Sequence, residues 1–302
     1  MRALITGASG MIGSALCDAL LARGDEVVGL SRDPERARAS NPTVRWHRWE
    51  PTMERPPAEA FEDVDGVVNL VGEPINQRWS ESAKERIMES RRTATRNLVQ
   101  AITALERKPG VLVSQSAIGF YGDRGEELVD ESAAPGGGFA AEVPQQWERA
   151  ASEIEGTGVR LVIVRTGLVL DTRDGLLKQL LTPFKLGVGG PIAGGDQYMS
   201  WIHLDDEVGV ILWALENESA SGVVNATAPN PVTNREFSKT LGRVLRRPAV
   251  VPVPGFALSA MFGGEAAETF KGGARVMPRR TQDLGYVFRH PELEEALRHL
   301  LK

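Results

Sequence analysis

The start of the chain constrains its fold more than any other stretch. Arg2–Thr6 reads as a short strand, and Met11–Arg23 carries apolar residues at helical spacing through Ile12, Leu16, Ala19 and Leu20. Between them runs Thr6-Gly7-Ala8-Ser9-Gly10-Met11-Ile12-Gly13, with the spacing Gly-x-x-Gly-x-x-Gly. A glycine triplet alone says little; entered from a strand and left as a helix, it predicts a pyrophosphate-binding turn. Gly7 permits the tight turn, Gly10 lets the backbone approach a phosphate, and Gly13 lets the helix pack on the strand. Ser9, Met11 and Ile12 complete the candidate cradle, where unpaired N–H groups and the positive end of the helix dipole face an anion.

The second strand, Glu26–Ser31, arrives on schedule and sets the flavour of the dinucleotide. A chain that binds NAD usually ends this strand on a carboxylate for the ribose 2′-hydroxyl. Here it ends Gly29-Leu30-Ser31-Arg32, a hydroxyl followed by a guanidinium. Arginine forms charge-assisted bonds to a 2′-phosphate, so Ser31 and Arg32 point to NADP, with NADPH preferred over NADH. Asp33–Arg38 just beyond is a charged, solvated face.

The strand–helix rhythm continues through Gly66–Val71, a helix over about 80–105, Val111–Ser114, a helix over about 144–155, and Val159–Arg165. That alternation predicts an α/β fold, a Rossmann doubly wound parallel sheet with helices on both faces. Thr166 ends the last of these strands at the carboxyl edge, where ligands of such sheets bind. From about residue 183 the texture changes to glycine-rich turns, with helices again at Asp205–Glu216 and Asn234–Leu245 and a proline-broken stretch at Pro248–Gly264. The expected division is a dinucleotide-binding domain over 1–180, with part of 200–228 returning to it. A smaller, irregular C-terminal substrate-side region follows over 181–302.

Composition removes several classes. With 302 residues, 42% hydrophobic and 25% charged, the chain can bury a large core. A net charge of −5 argues against a nucleic-acid partner. No long uncharged apolar run is present, so no membrane partner is expected. One cysteine, Cys17, excludes an internal disulfide; with no signal-peptide pattern, it implies a cytoplasmic protein. The histidines His47, His203, His290 and His299 lack zinc-ligand spacing in the sequence, so no metal is expected. No Gly-x-Ser-x-Gly elbow occurs, which argues against an α/β-hydrolase. The six tryptophans read as packing residues.

These landmarks resemble the extended short-chain dehydrogenases/reductases of the NAD-dependent epimerase/dehydratase superfamily. The turn at Gly7–Gly13, Asn69-Leu70-Val71-Gly72, Ser114-Gln115-Ser116 before Tyr121-Gly122, and Trp201-Ile202-His203-Leu204-Asp205-Asp206 carry the likeness. Gly72-Glu73-Pro74-Ile75 and Asn225-Ala226-Thr227-Ala228-Pro229 narrow it to an atypical, epimerase-like subfamily with a C-terminal domain of unknown function. The resemblance implies that Leu70, Val71 and Gly72 touch the cofactor, and it puts Arg91 where the family usually has a helper asparagine. It also implies proton transfer by a tyrosine with a lysine four residues on, assisted by a serine. The serine is present as Ser116. The pair is not: residues 125, 202 and 290 beyond the three tyrosines are Gly, Ile and His, and the family positions fall on Ala140 and Pro144. Tyr121, Glu73 and His203 are the titratable substitutes, Tyr121 foremost because it follows Ser116. The sequence therefore implies an NADP-binding epimerase or oxidoreductase acting on a small polar substrate, loosely a sugar nucleotide. The rival is an NADP-binding sensor without turnover.

Overall fold

A computed structural model of the chain describes residues 1–252, 269 and 271–302. The first half holds strands β1 (Arg2–Thr6), β2 (Glu26–Ser31), β3 (Arg45–Arg48), β4 (Gly66–Asn69), β5 (Val111–Ala117), β6 (Leu128–Val129) and β7 (Arg160–Thr166). Its helices are α1 (Met11–Ala22), α2 (Pro34–Ser40), α3 (Glu81–Ala104) and α4 (Phe139–Ser152). The second half adds β8 (Leu168–Leu170), β9 (Tyr198–Met199), β10 (Trp201–His203), β11 (Gly222–Ala226), β12 (Val232–Thr233) and β13 (Arg275–Val276). Helices α5 (Gly175–Lys185), α6 (Leu204–Glu216), α7 (Asn234–Leu245), α8 (Arg279–Asp283) and α9 (Leu293–Leu300) accompany them.

Seven strands form one parallel sheet in the order β11-β7-β5-β4-β1-β2-β3. The chain starts at β1, winds out to β3, then returns past β1 to β4 and beyond. The order therefore reverses between β1 and β4, the place where open sheets of this kind bind ligands at the carboxyl ends of the strands. Both faces of the sheet are covered. Ala3, Ile5, Val68, Val113 and Val164 pack with Leu16 and Leu20 of α1 and Val210 and Ile211 of α6. The alternate residues Leu4, Val67, Leu112 and Ile163 pack with Leu98 and Ile102 of α3. Period-two alternation with apolar residues on both faces is what a sandwiched parallel sheet requires.

A third core joins Leu177, Leu181 and Phe184 of α5, Phe237 and Leu241 of α7, Trp201, and Leu293 and Leu297 of α9. Three separate two-stranded pairings, β8–β10, β9–β12 and β6–β13, lie outside the main sheet. β11 follows β10 and α6 in the chain yet pairs with β7 in the main sheet. Trp46, Trp49, Trp147 and Trp201 are buried, consistent with packing roles.

Two differences from the sequence reading have physical causes. α4 begins at Phe139, five residues before Pro144, which lies inside it. Proline there has no N–H to offer Ala140, whose carbonyl would meet a Cβ built on Gly119 at 3.0 Å. The 3-10 turn Ile118–Tyr121 uses the glycine to come that close. The glycines after α5 are spent on packing: a Cβ on Gly189 would lie 2.3 Å from the Phe184 ring, and one on Gly190 2.3 Å from the Val251 carbonyl oxygen. From residue 253 onward the proline-broken stretch Pro248–Gly264 lies outside the described residues.

Candidate cofactor and active site

The glycine turn divides into two kinds of position. Gly7 has φ +66°, and a Cβ on it would lie 2.8 Å from the Leu70 carbonyl oxygen; one on Gly13 would lie 2.2 Å from the Gly7 oxygen. The chain itself requires both to be glycine. Gly10 differs. Its φ is −77°, and a Cβ there would meet only the Gly7 oxygen, at 3.2 Å. The space before Gly10 is open, and Ser9 and Gly10 are exposed. α1 starts here with no side-chain cap and no acid in its first turn, so its leading N–H groups at Met11 and Ile12 have no internal competitor for an anion.

A buried polar cluster fixes the neighbouring loop. Thr6 Oγ1 donates to Asn69 Oδ1 at 2.9 Å and accepts the N–H groups of Leu70 and Val71 at 3.0 and 3.2 Å. Asn69 donates to Thr95 Oγ1 and Ser114 Oγ. β1, β4 and β5 are thus locked to one another, which fixes Leu70 and Val71 at the carboxyl end of β4. Sequence reading missed Thr6 and Asn69 as organisers, although two polar residues ending apolar strands were a visible signal.

Arg91 lies under that loop. Its Nη1 donates to the carbonyls of Glu73 and Ile87 at 2.9 and 3.2 Å, and the guanidinium sits 5.1 Å from the Trp147 ring. Burial pushes it down to about 10, with Glu73 opposing the shift, so it stays charged at neutral pH. A Cβ on Gly72 would fall 2.9 Å from its Cζ. Arg91 therefore presents a positive charge from α3 beside the turn of α4 that contains Pro144.

At the end of β2, Ser31 Oγ accepts the N–H of Asp33 at 3.1 Å. Asp33 in turn caps α2 by accepting the N–H of Arg36. Arg32 is exposed and makes no ion pair among the described residues. Arg38 pairs with Glu35, while the guanidiniums of Arg32 and Arg36 have no partner among the described residues.

The β5–β7 side is occupied differently. Ser116 Oγ donates to Glu148 Oε1 at 2.6 Å, and Glu148 is held by Arg165 through two bonds of 2.8 Å. Arg165 Nη1 also donates to Tyr121 Oη at 3.0 Å, and Tyr121 donates to Asn225 Oδ1 at 2.7 Å. Tyr121 is fully buried, and that burial raises its pKa, so its phenol keeps its proton at neutral pH. The expectation that Tyr121 serves as acid or base meets a physical obstacle: its hydroxyl faces the interior with donor and acceptor roles filled. Glu148 was missed, although it lies four residues beyond Pro144 on the face that α4 turns toward Ser116. Of the other substitutes, Glu73 contacts Gln77 and Arg86 at 3.5 and 4.0 Å, and His203 caps α6 by accepting the N–H of Asp205 at 2.9 Å.

Thr166 joins another buried group. Its Oγ1 donates to Glu207 Oε1 at 2.7 Å and accepts from Gln115 Nε2 at 3.2 Å. Glu207 is enclosed, and burial pushes its carboxyl up to about 8 against the pull of Thr166 and Gln115. It is thus a neutral acid at neutral pH, and its Oε2 has no hydrogen-bond partner. Among the described residues no helix is long and apolar enough to cross a membrane.

Residues 3–226, most of the chain, match the family described as NAD dependent epimerase/dehydratase. The chain belongs to that family. Residues 253–300 match a second family, described as a domain of unknown function, DUF1731. An epimerase family protein of Mycobacterium leprae is 39% identical, over 97% of this chain and 93% of its own length. The crystal structure of the human epimerase family protein SDR39U1, solved with NADPH, superposes with a TM-score of 0.91 at 36% identity, covering 99% of both chains. A nucleoside-diphosphate sugar epimerase from Corynebacterium glutamicum gives a TM-score of 0.79 at 32% identity, covering 100% of this chain and 58% of that one.

Proposed function

We propose that this family member binds NADPH in preference to NADH and acts as an epimerase-like oxidoreductase on a small polar substrate of the sugar-nucleotide kind. The open cradle at Gly10 carries the reading: a Cβ would fill space that nothing else in the chain uses. The N–H groups of Ser9, Met11 and Ile12 would hold the pyrophosphate against the bare Cα of Gly10, Ser31 and Arg32 would hold the 2′-phosphate, and Leu70, Val71, Gly72, Arg91 and Thr166 the remainder. Bound there, the cofactor supplies or accepts a hydride at its nicotinamide ring. The NADPH in the human relative's crystal structure supports the choice of cofactor. The buried, reduced Cys17 fits a cytoplasmic location.

Within the reaction, Ser116 would orient a substrate oxygen, and Arg91 would supply positive charge beside α4, where the family lysine is absent. A second reading, an NADP-binding sensor without turnover, is favoured by one observation. The Tyr121 hydroxyl is committed to Asn225 and Arg165, and no Tyr-x-x-x-Lys pair is present.

Fluorescence titration of NADPH and NADH tests the cofactor assignment. Charge-assisted bonds of about 1.5–3 kcal/mol make Arg32→Ala cost roughly ten- to a hundred-fold for NADPH and little for NADH. Equal affinities for the two cofactors in the unaltered protein would overturn it.

A further inference from the structure

The chain contains four histidines, and the fold brings three of them together. His203 ends β10, His290 lies between α8 and α9, and His299 stands in the last turn of α9. The rings of His203 and His290 stack with centroids 3.9 Å apart, and those of His290 and His299 stack at 4.7 Å. Asp205, in the first turn of α6, completes the group; one ligand atom from each of the four lies within 4.8 Å of all the others. The sequence expectation of no metal rested on spacing along the chain. It could not register ligands separated by more than eighty residues that fold into contact.

The protonation pattern sorts the four residues. His203 Nδ1 accepts the N–H of Asp205, so its proton lies on Nε2, which stands 3.1 Å from His299 Nδ1 and donates to it. His203 is buried and already committed as a helix cap. The other three reach solvent: Asp205 and His299 are exposed and His290 is half-buried. His290 Nε2 lies 3.5 Å from Asp205 Oδ2. Two ligands bound to one tetrahedral ion at about 2.0–2.1 Å each lie about 3.4 Å apart, so this pair is already at binding separation. His299 is exposed, and a ligand atom of its ring already lies within 4.8 Å of the others.

We propose that His290, His299 and Asp205 form a binding site for a divalent transition-metal ion such as Zn²⁺ or Co²⁺. His203 forms its floor, and water completes the coordination. Two imidazoles and one carboxylate suit borderline ions better than Mg²⁺ or Ca²⁺, which favour all-oxygen sets. The ligands come from the start of α6, which covers the main sheet, and from the segment before α9 and the last turn of α9, a helix of the third core. A bound ion would therefore clip the C-terminal helix to the body of the protein, stabilising the folded state by linkage.

The test uses the untagged full chain, stripped with chelator and dialysed. Calorimetric titration with Zn²⁺ and visible absorption during titration with Co²⁺ are expected to show one saturable equivalent, with a four- or five-coordinate cobalt spectrum. Zn²⁺ should raise the thermal midpoint, and chelator should reverse the rise. His299→Gln and Asp205→Asn, both at exposed positions, should each weaken binding about a hundred-fold or more. His47→Gln should leave it unchanged. Thermal unfolding in chelator checks that the variants fold. Absence of saturable binding by the unaltered protein would overturn the proposal. So would undiminished binding in folded His299→Gln and Asp205→Asn proteins.

Discussion

Two neighbouring regions at the carboxyl edge of the sheet are built on opposite principles. Around the ends of β1, β2 and β4 the polar groups hold backbone in place and leave an opening, with Gly10 facing open space and Arg32 exposed. Around the ends of β5 and β7 the polar side chains satisfy one another: Ser116, Glu148, Arg165, Tyr121 and Asn225 form a continuous network. The first arrangement leaves room beside the backbone. In the second, the groups that could move a proton are tied into the structure. A family fold can thus keep its cofactor side while rebuilding its acid–base side as a structural lock, and likeness of fold says little about which has happened.

Substitutions that break one region while sparing the other sharpen this contrast. The largest effect is expected at Glu148, because Arg165 is 5% exposed and would be left without its carboxylate. Glu148→Ala should cost about 3–5 kcal/mol of stability in chemical denaturation. A loss below about 1 kcal/mol would mean that the network is not a lock. Gly10→Val comes next and reverses the pattern: the fold should survive, while affinity for both NADPH and NADH falls by about a hundred-fold or more by calorimetry. Undiminished binding would move the phosphate cradle elsewhere. Tyr121→Phe has the smallest effect, about 1–2 kcal/mol of stability from the Asn225 oxygen left without its donor. It should leave cofactor affinity unaltered, and any hydride transfer the protein performs should continue at the same rate. A large fall in turnover with stability unchanged would return Tyr121 to a catalytic place.

The legibility of the sequence followed the same division. Strand–turn–helix context and glycine spacing are local features, so the parallel sheet and a nicotinamide dinucleotide as ligand could be read directly. The lock could not. Glu148, Arg165, Tyr121 and Asn225 come from four separate elements, and only the paired register of β7 with β5 and β11 brings them together. Glu207 was hidden for a related reason: in sequence it belongs to a charged helix start, and only packing of α6 on the sheet encloses it against Thr166. The short strand β3 and helices α5 and α9 escaped because their apolar patterns are brief and their partners distant.

Hydride transfer measured with the cofactor already in place tests the contrast most directly. The protein is saturated with NADPH, binding is confirmed by fluorescence, and nucleotide sugars and small carbonyl compounds are added under single-turnover conditions. General acid–base groups contribute about 10²–10⁴-fold to such steps. The expected result is stoichiometric binding with oxidation slower by that order than in relatives that carry the tyrosine–lysine pair. Oxidation by the unaltered protein as rapid as in those relatives would contradict the account.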